Sequence, residues 1–568
     1  MISRRSFLRA SLMSCLGLMA FQGEGCNTWR LATEQRLNSK NYIERSKLDN
    51  NGWSKFNCGP DTWYCRNEDT FYLTQNFASW PLNNKITYLD VAIVGAGPAG
   101  LVCAHELLNL GVDKIAIFDS CYQPGGSCRS FNPSQEHNNS NCLSQNIPWA
   151  AGRLSLPDHN DEKLLEFLQS QQIIDSFDAA GRPQYNADTL AFYPQERLLN
   201  FGRWIFGNYD YTNLQLQDLE RQRHCAERFD SFLEQMEQKR GRDGKLYFTS
   251  PDSLVSEEAK NLEQLTLKAY LLKHHVLTET IEQFIDRITC SASGLPSSQI
   301  SAWTGMYQLC RDNVRLTKPQ RIFLTWEQGC SKLLEPLYQK LHPVIKTASR
   351  IVHLKEERQA IELMSFNLKE KQRERIVAKR VIFTGSTANL SKLLEVELND
   401  QLTFWNIAAF QAKLEPLTYN QKFLDAPPSL ISRLNNHPSI IYWDSSCQKQ
   451  SSLPHSYTIL ARRCPERPSV KLLGDFFSQI ETETSPFIDN FAEQKHQFWV
   501  GTFGPFRTAL TGCNWARRGQ TVAEIVAQRF SRLYVALTDS CACPNFAQSF
   551  HNGLQAAKKV SDALHQQP

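Results

Sequence analysis

Leu89-Asp90-Val91-Ala92-Ile93-Val94-Gly95-Ala96-Gly97-Pro98-Ala99-Gly100 runs from a short apolar stretch directly into a glycine turn. An apolar segment from Leu101 to Leu110 follows, and Gly111 ends it. Lys114-Ile115-Ala116-Ile117-Phe118 then leads to Asp119. The order predicts strand, turn, helix, strand and acid, which is the context that gives G-x-G-x-x-G its meaning. The glycines permit the tight turn and the close approach of a pyrophosphate. The helix start offers N–H groups and a partial positive charge to that anion. Asp119, about 20 residues beyond the turn, is placed to accept hydrogen bonds from a ribose. An α/β fold that binds a dinucleotide is therefore expected, with Gly95, Gly97, Ala99, Gly100 and Asp119 at the site.

The rest of the composition is that of a globular protein. The chain has 568 residues, of which 41% are hydrophobic and 21% charged, so it is not a disordered polymer. At about 150 residues per domain, two to four units are expected. With 62 basic and 58 acidic side chains the net charge is +4, too weak to call for a nucleic-acid partner. Seventeen cysteines are an odd number, so at least one thiol stays unpaired within the chain.

The N-terminus reads Ser3-Arg4-Arg5-Ser6-Phe7-Leu8-Arg9, followed by an apolar run from Ala10 to Phe21. That run falls short of the roughly 20 residues needed to span a bilayer. A basic start followed by a short apolar stretch is read as an export signal. The arginine pair with Phe-Leu resembles a bacterial twin-arginine signal. This implies export of an already folded protein by the twin-arginine translocase, to the periplasm or beyond. Cys26, after Gly23-Glu24-Gly25, leaves lipid anchoring open. Cys58 and Cys65 lie in an Asn-rich lead-in with no further ligands at zinc spacing, so a local disulfide is the better expectation.

Downstream segments carry a family resemblance. Gln123-Pro124-Gly125-Gly126-Ser127-Cys128-Arg129 follows the acid, and Ala150-Ala151-Gly152-Arg153-Leu154 comes next. Trp326-Glu327-Gln328-Gly329 opens a turn and helix, Ile351-Val352-His353-Leu354 reads as a strand, and Arg380-Val381-Ile382-Phe383-Thr384-Gly385 as another. Near the end, Leu533 to Asp539 reads as a strand closing on an acid, before Cys543-Pro544-Asn545-Phe546-Ala547 and Gly553-Leu554-Gln555-Ala556-Ala557. Over roughly residues 88–565 this pattern resembles the flavin-containing amine oxidase superfamily, nearest to the L-amino-acid oxidases.

The resemblance implies a fold and a set of roles. The fold is α/β, with a Rossmann-like, GR2-type FAD-binding domain assembled from discontinuous segments, a mixed β-sheet substrate domain and a helical insertion. The expected division is 1–26 signal, 27–87 extension, 88–155, 319–398 and 505–568 FAD-binding domain, 156–209 and 399–504 substrate domain, and 210–318 helical insertion. Gly126 and Arg129 would meet the pyrophosphate, Val352 the adenine, and Gly152, Trp515, Asp539 and Ala547 other parts of FAD. Arg153 would touch both cofactor and substrate, gripping a carboxylate with two parallel hydrogen bonds. Phe546 and Trp405 would sandwich the amine carbon, and Lys413 would position water near the flavin. Gln520 stands where monoamine oxidases carry an attachment cysteine, so noncovalent FAD is expected.

The implied reaction is hydride transfer from a C–N bond of an amine or amino acid to flavin, with oxygen as acceptor and hydrogen peroxide as product. Departures from the family pattern at Asn545, Gln548 and Ser549 touch the expected reaction centre. They keep two alternatives open: a desaturase or dehydrogenase of the same fold acting on a lipid or isoprenoid, and a flavin-binding accessory protein without turnover. No metal site is expected. Cys541-Ala542-Cys543 lacks further ligands, and His274-His275 reads as a surface pair. An oligomer is left open.

Overall fold

The computed structural model describes residues 80–121, 123–131, 147–148, 151–159, 161–191, 196–200, 203–206, 216–248, 256–293, 296–317, 322–326, 328–396, 522–537 and 545–566, and the backbone course of strands at 403–414, 431–434, 437–444, 455–464 and 498–508. The expected signal at 1–26, Cys26, Cys58, Cys65, Trp515, Gln520, Asp539 and the Cys541–Cys543 pair lie outside the described residues.

The opening motif forms a βαβ unit: β1 (Leu82–Val94), α1 (Pro98–Asn109) and β2 (Ile115–Phe118). Val91, Ala92 and Ile93 are all fully buried, so β1 is covered on both faces, as a parallel sheet requires. β1 pairs with β2 from Val91↔Ile115 to Val94↔Phe118. On its other side it pairs, also in parallel, with β3 (Gln372–Phe383), ending at Val94↔Phe383. The short strand Ile345–Lys346 extends the sheet beyond β2, and β4 (Leu533–Val535) extends it beyond β3. Three stretches far apart in sequence, 82–118, 345–383 and 533–535, thus contribute parallel strands to one sheet, which is the discontinuous arrangement expected.

β3 serves two neighbours along one edge. Its last residues, Val381 to Phe383, pair with β4. Its first half pairs antiparallel with Ile361–Asn367, which in turn pairs with Ser349–Glu356. One face of the sheet is covered by α1, by the helix Glu335–Leu341 and by the C-terminal helix α2 (Phe546–His565), with Leu101, Leu107, Leu337, Leu341 and Val560 in one core. The opposite face buries Ala92, Ala116, Val381 and Phe383 against Leu363, Val522 and Val526.

A second, mixed sheet has seven strands. Its strands lie in the order 203–206, 196–200, 431–434, 437–444, 455–464, 403–414 and 498–508. Only the pairing of 196–200 with 431–434 is parallel. Helices Leu216–Glu237, Leu267–Lys273, Glu279–Ser293 and Ala302–Arg311 build a separate core around Phe229, Leu233, Ile285 and Met306. The buried Asp230 carboxylate accepts the Leu316 and Thr317 N–H groups at 2.7 and 2.9 Å, fixing the segment by which this helical insertion returns. Among the described residues no helix is long and apolar enough to cross a membrane.

Two boundaries differ from those read in the sequence. β1 begins at Leu82, inside the segment expected to be extension. Residues 82–87 are mostly polar, and they pair at the exposed edge Leu82↔Arg373 to Thr87↔Ile376, so no apolar pattern marks them. The helix Glu162–Ser170 buries Leu164, Leu165 and Leu168 in the nucleotide core, although 156–209 was assigned to the substrate domain. Hydrophobic spacing reveals that this helix has an apolar face but not which core receives it.

α2 approaches α1 closely at Gly553. A Cβ there would lie 2.5 Å from the Ala99 carbonyl oxygen and 3.1 Å from the Cys103 nitrogen. Gly553→Val is expected to destabilise the protein by about 1–3 kcal/mol, as overpacking generally does. A urea unfolding midpoint unchanged from wild type would show that the two helices separate without cost.

Candidate cofactor site

The glycine turn and Asp119 are joined through the main chain. The Ala96 N–H donates to Asp119 Oδ2 at 2.5 Å, and the Cys121 N–H donates to Oδ1 at 2.7 Å. Asp119 is only 7% exposed, so its charge is compensated by these backbone donors. The Asp119 main chain is fixed too: its N–H donates to Lys346 O at 2.9 Å and its carbonyl accepts the Ser349 N–H at 2.7 Å.

The second glycine loop sits against the first. The Gly125 N–H donates to Ala96 O at 2.7 Å. Gly126 has φ +54°, and a Cβ there would come within 3.1 Å of Gly97 Cα. At Gly100 a Cβ would lie 2.0 Å from the Gly95 carbonyl oxygen, so no side chain fits. The two loops therefore face each other as bare backbone, the form of surface a pyrophosphate needs. Thr384, at the end of β3, supports the turn by donating its hydroxyl to Gly95 O at 2.9 Å.

Arg129 is 6% exposed, and its Nη1 lies 3.7 Å from Cys121 Sγ, beneath the loop. The Tyr338 hydroxyl is buried with no hydrogen-bond partner among the described residues. It lies 2.6 Å from where a Cβ on Gly125 would stand. Burial pushes its phenol pKa well up, so it stays a neutral donor. These features fit a dinucleotide: a side-chain-free cradle, an acid beside it, and a buried hydroxyl at its edge. Sequence reading missed Tyr338 and Thr384, because a lone Tyr on a helix and a Thr after a strand carry no motif.

Val352 occupies a β-bulge. The register steps from Ile351↔Ser365 to His353↔Met364, leaving Val352 as the extra residue. Its backbone is thereby taken out of the regular ladder, which suits recognition of a base edge by main-chain groups.

Gly152 and Arg153 run beside the second loop. The Ala151 N–H donates to Ser127 O at 3.1 Å, and Gly152 O accepts the Thr325 hydroxyl at 3.2 Å. Arg153–Ser155 pairs antiparallel with Phe323–Thr325. The Arg153 guanidinium carbon lies 4.0 Å over the centre of the Phe323 ring. Stacking of this kind fixes the plane of a guanidinium.

At the C-terminal end the structure shows what surrounds Phe546 and why the helix starts as it does. Phe546, expected beside the substrate, is 6% exposed and packs in the nucleotide core with Phe167 and Phe550, each 6.5 Å away. Asn545, Gln548 and Ser549, which depart from the family pattern, build the helix start. Asn545 Oδ1 accepts the Gln548 N–H at 2.8 Å, and the Ser549 hydroxyl donates to Asn545 O at 3.0 Å. Asn is a favoured N-cap, so these residues have a structural reason. Ala547 follows in the first turn of α2, half-buried. Lys413 lies on the strand 403–414 opposite Ser456, and Trp405 on the same strand opposite Phe506; their side chains lie outside the described residues. Among the described residues no cluster of metal-binding side chains occurs.

Residues 93–152 match the NAD(P)-binding Rossmann-like domain. Thiamine thiazole synthase of Candida albicans is 31% identical over 98 residues, 17% of this chain and 26% of that protein. The chain thus matches about a quarter of that relative's length. A putrescine oxidase variant with redesigned cofactor binding superposes with TM-score 0.56 at 13% identity, over 84% of this chain and all of the other. Cyclohexylamine oxidase from Brevibacterium oxydans gives 0.54 at 12% identity over 84% of this chain and all of its own. A CLA-producing fatty acid isomerase from P. acnes gives 0.56 at 13% identity, over 83% and 98%. The fold is shared with putrescine oxidase. At these identities the likeness is one of architecture: a Rossmann-like domain of discontinuous segments beside a mixed sheet.

Asp119→Asn removes one acceptor from the pair of backbone donors at Ala96 and Cys121. It is expected to lower stability by about 1–3 kcal/mol, the cost of leaving a buried donor unmet. Urea unfolding of the protein stripped of any bound nucleotide measures this. A wild-type midpoint would mean that the carboxylate does not hold the turn.

Proposed function

We propose that the chain is an FAD-dependent oxidoreductase that oxidises the C–N bond of an amine or amino acid. The observation that carries this reading is the side-chain-free cradle of Gly97 and Gly126 beside Asp119, set in a fold shared with two amine oxidases. In this reading Gly95, Gly97, Ala99, Gly100, Gly126 and Arg129 surround the pyrophosphate. Asp119 accepts from the ribose, the Val352 bulge meets the adenine, and Gly152 and Ala547 border the rest. Trp515 and Asp539 belong to the same proposal. FAD, held without a covalent bond, would supply the hydride acceptor, and molecular oxygen would take the electrons onward to hydrogen peroxide.

The chain's own residues orient the substrate. Arg153 aims a guanidinium whose plane is fixed by Phe323, and a substrate carboxylate would take two parallel hydrogen bonds from it. Such a clamp presents the reacting carbon in one orientation. Lys413 would hold a water molecule for the later hydrolysis step. Leu154 and Leu324, in the small sheet that carries Arg153, are buried and hold its strand in place.

Flavin absorbance, and peroxide release across a panel of amino acids and amines, test the reading. Flavin bound but no peroxide from any member would sink the oxidase. Arg153→Ala is expected to raise KM for a carboxylate substrate by at least about tenfold, the loss of a charge-assisted bidentate pair. An unchanged KM removes Arg153 from the substrate site. Acid precipitation should leave the yellow colour in the supernatant; colour retained on the pellet would mean a covalent link.

A second reading has its own support. The fatty acid isomerase superposes as well as the putrescine oxidase, and a fatty acid also carries a carboxylate for Arg153. A panel silent with amines but active on unsaturated fatty acids would favour it.

The Arg4-Arg5 signal supports export through the twin-arginine translocase. Replacing both arginines by lysine should retain the protein in the cytoplasm, as cell fractionation would report. Unaltered export would exclude that route.

A further inference from the structure

Cys128 and Cys330 are separated by about 200 residues of chain, yet they meet beneath the second glycine loop. Cys128 ends the turn Gly126–Cys128, and Cys330 follows Gly329 at the start of the turn Gly329–Leu334. Both are free thiols, 2% and 0% exposed, in the same core. The neighbouring Cys128 thiol first, and burial second, raise the Cys330 thiol pKa well above the ordinary thiol value. The backbone fixes the approach. Ser127 O accepts the Ala151 N–H at 3.1 Å, and Ala151 O accepts the Cys330 N–H at 2.8 Å, so three segments are stitched side by side. Gly329 presses on the middle segment, because a Cβ there would lie 2.7 Å from Ala151 O and 3.1 Å from Gly152 Cα.

We propose that Cys128 and Cys330 are a modification site: a dithiol that oxidises to an intramolecular disulfide, tying the Gly125–Gly126 loop to the turn Gly329–Leu334, which packs against the segment that carries Arg153. The site does not depend on which cofactor or substrate the protein takes.

The chemistry is thiol–disulfide exchange with a disulfide oxidant such as oxidised glutathione. One cysteine sulfur attacks the oxidant, whose own S–S bond breaks, and a mixed disulfide forms with release of one thiol. The second cysteine sulfur then displaces the remaining half. The Cys128–Cys330 S–S bond forms, and the oxidant leaves as two thiols carrying the two protons and two electrons. Burial disfavours thiolates, so exchange proceeds while the loop is open, during folding or local opening. The same burial then shields the finished bond from reductants. A cross-link closing a loop of about 200 residues restricts the unfolded chain strongly, and so favours the folded state. Export to an oxidising compartment would favour the oxidised form.

The full-length protein, unfolded and refolded in a glutathione redox buffer, is quenched in acid, alkylated in denaturant and mapped by mass spectrometry. The expected product is the Cys128 peptide joined to the Cys330 peptide, two hydrogens lighter than the separate pair. Its thermal midpoint should exceed that of the reduced protein by several degrees, and dithiothreitol should abolish the difference. Cys330→Ser should leave Cys128 alkylated and the midpoint insensitive to the redox buffer; Cys128→Ala serves equally if the first variant folds poorly. Both cysteines recovered separately alkylated from refolded wild-type protein, or either joined to a third cysteine, overturns the proposal.

Discussion

The site depends on the carboxylate of Asp119 and the two backbone N–H groups it holds. One belongs to Ala96 in the first glycine turn, the other to Cys121 in the loop beyond β2. A buried charge is costly unless donors converge on it, and here the donors are main chain, which cannot rotate away. The loop after β2 is in turn tied to Lys346, Ala348 and Ser349, and the second glycine loop hangs on Ala96 O. One acid thus sets the spacing of three segments. The close approach of the Gly97 and Gly126 backbones is a product of that spacing.

The parts of this arrangement legible in the sequence were those with short-range signatures. The β-branched run before Gly95, the glycine spacing and the acid after Phe118 all lie within a few dozen residues, and all sit where the pattern puts them. The helical insertion was legible for the same reason, since Phe229, Phe232, Leu233 and Met236 repeat at helical spacing and are buried. What escaped was tertiary. Nothing in Leu82–Thr87 announces a strand, because its neighbour in the sheet, β3, lies almost 300 residues later in the chain. The apolar face of Glu162–Ser170 could have served either core. The Val352 bulge is a matter of register, which sequence does not display.

Residues at the C-terminal end illustrate a different limit. Asn545, Gln548 and Ser549 look like damage to a reaction centre when compared with a family pattern. Their hydrogen bonds give them a structural part in a capped helix start. Phe546, whose type suggests a substrate wall, packs against Phe167 and Phe550. A residue's type narrows its role; only its neighbours choose among the roles left.

β3 also carries a consequence for how the protein is made. Its upper edge accepts β4, and the face above α1 is closed by α2, both encoded near the end of the chain. At ribosomal rates of about 5–20 residues per second, the βαβ unit waits on the order of half a minute or more before those elements exist. During that wait the right-hand edge of a parallel sheet and the apolar side of α1 are uncovered. The helical insertion, whose apolar residues pack in a core of their own, does not depend on those late elements for its burial.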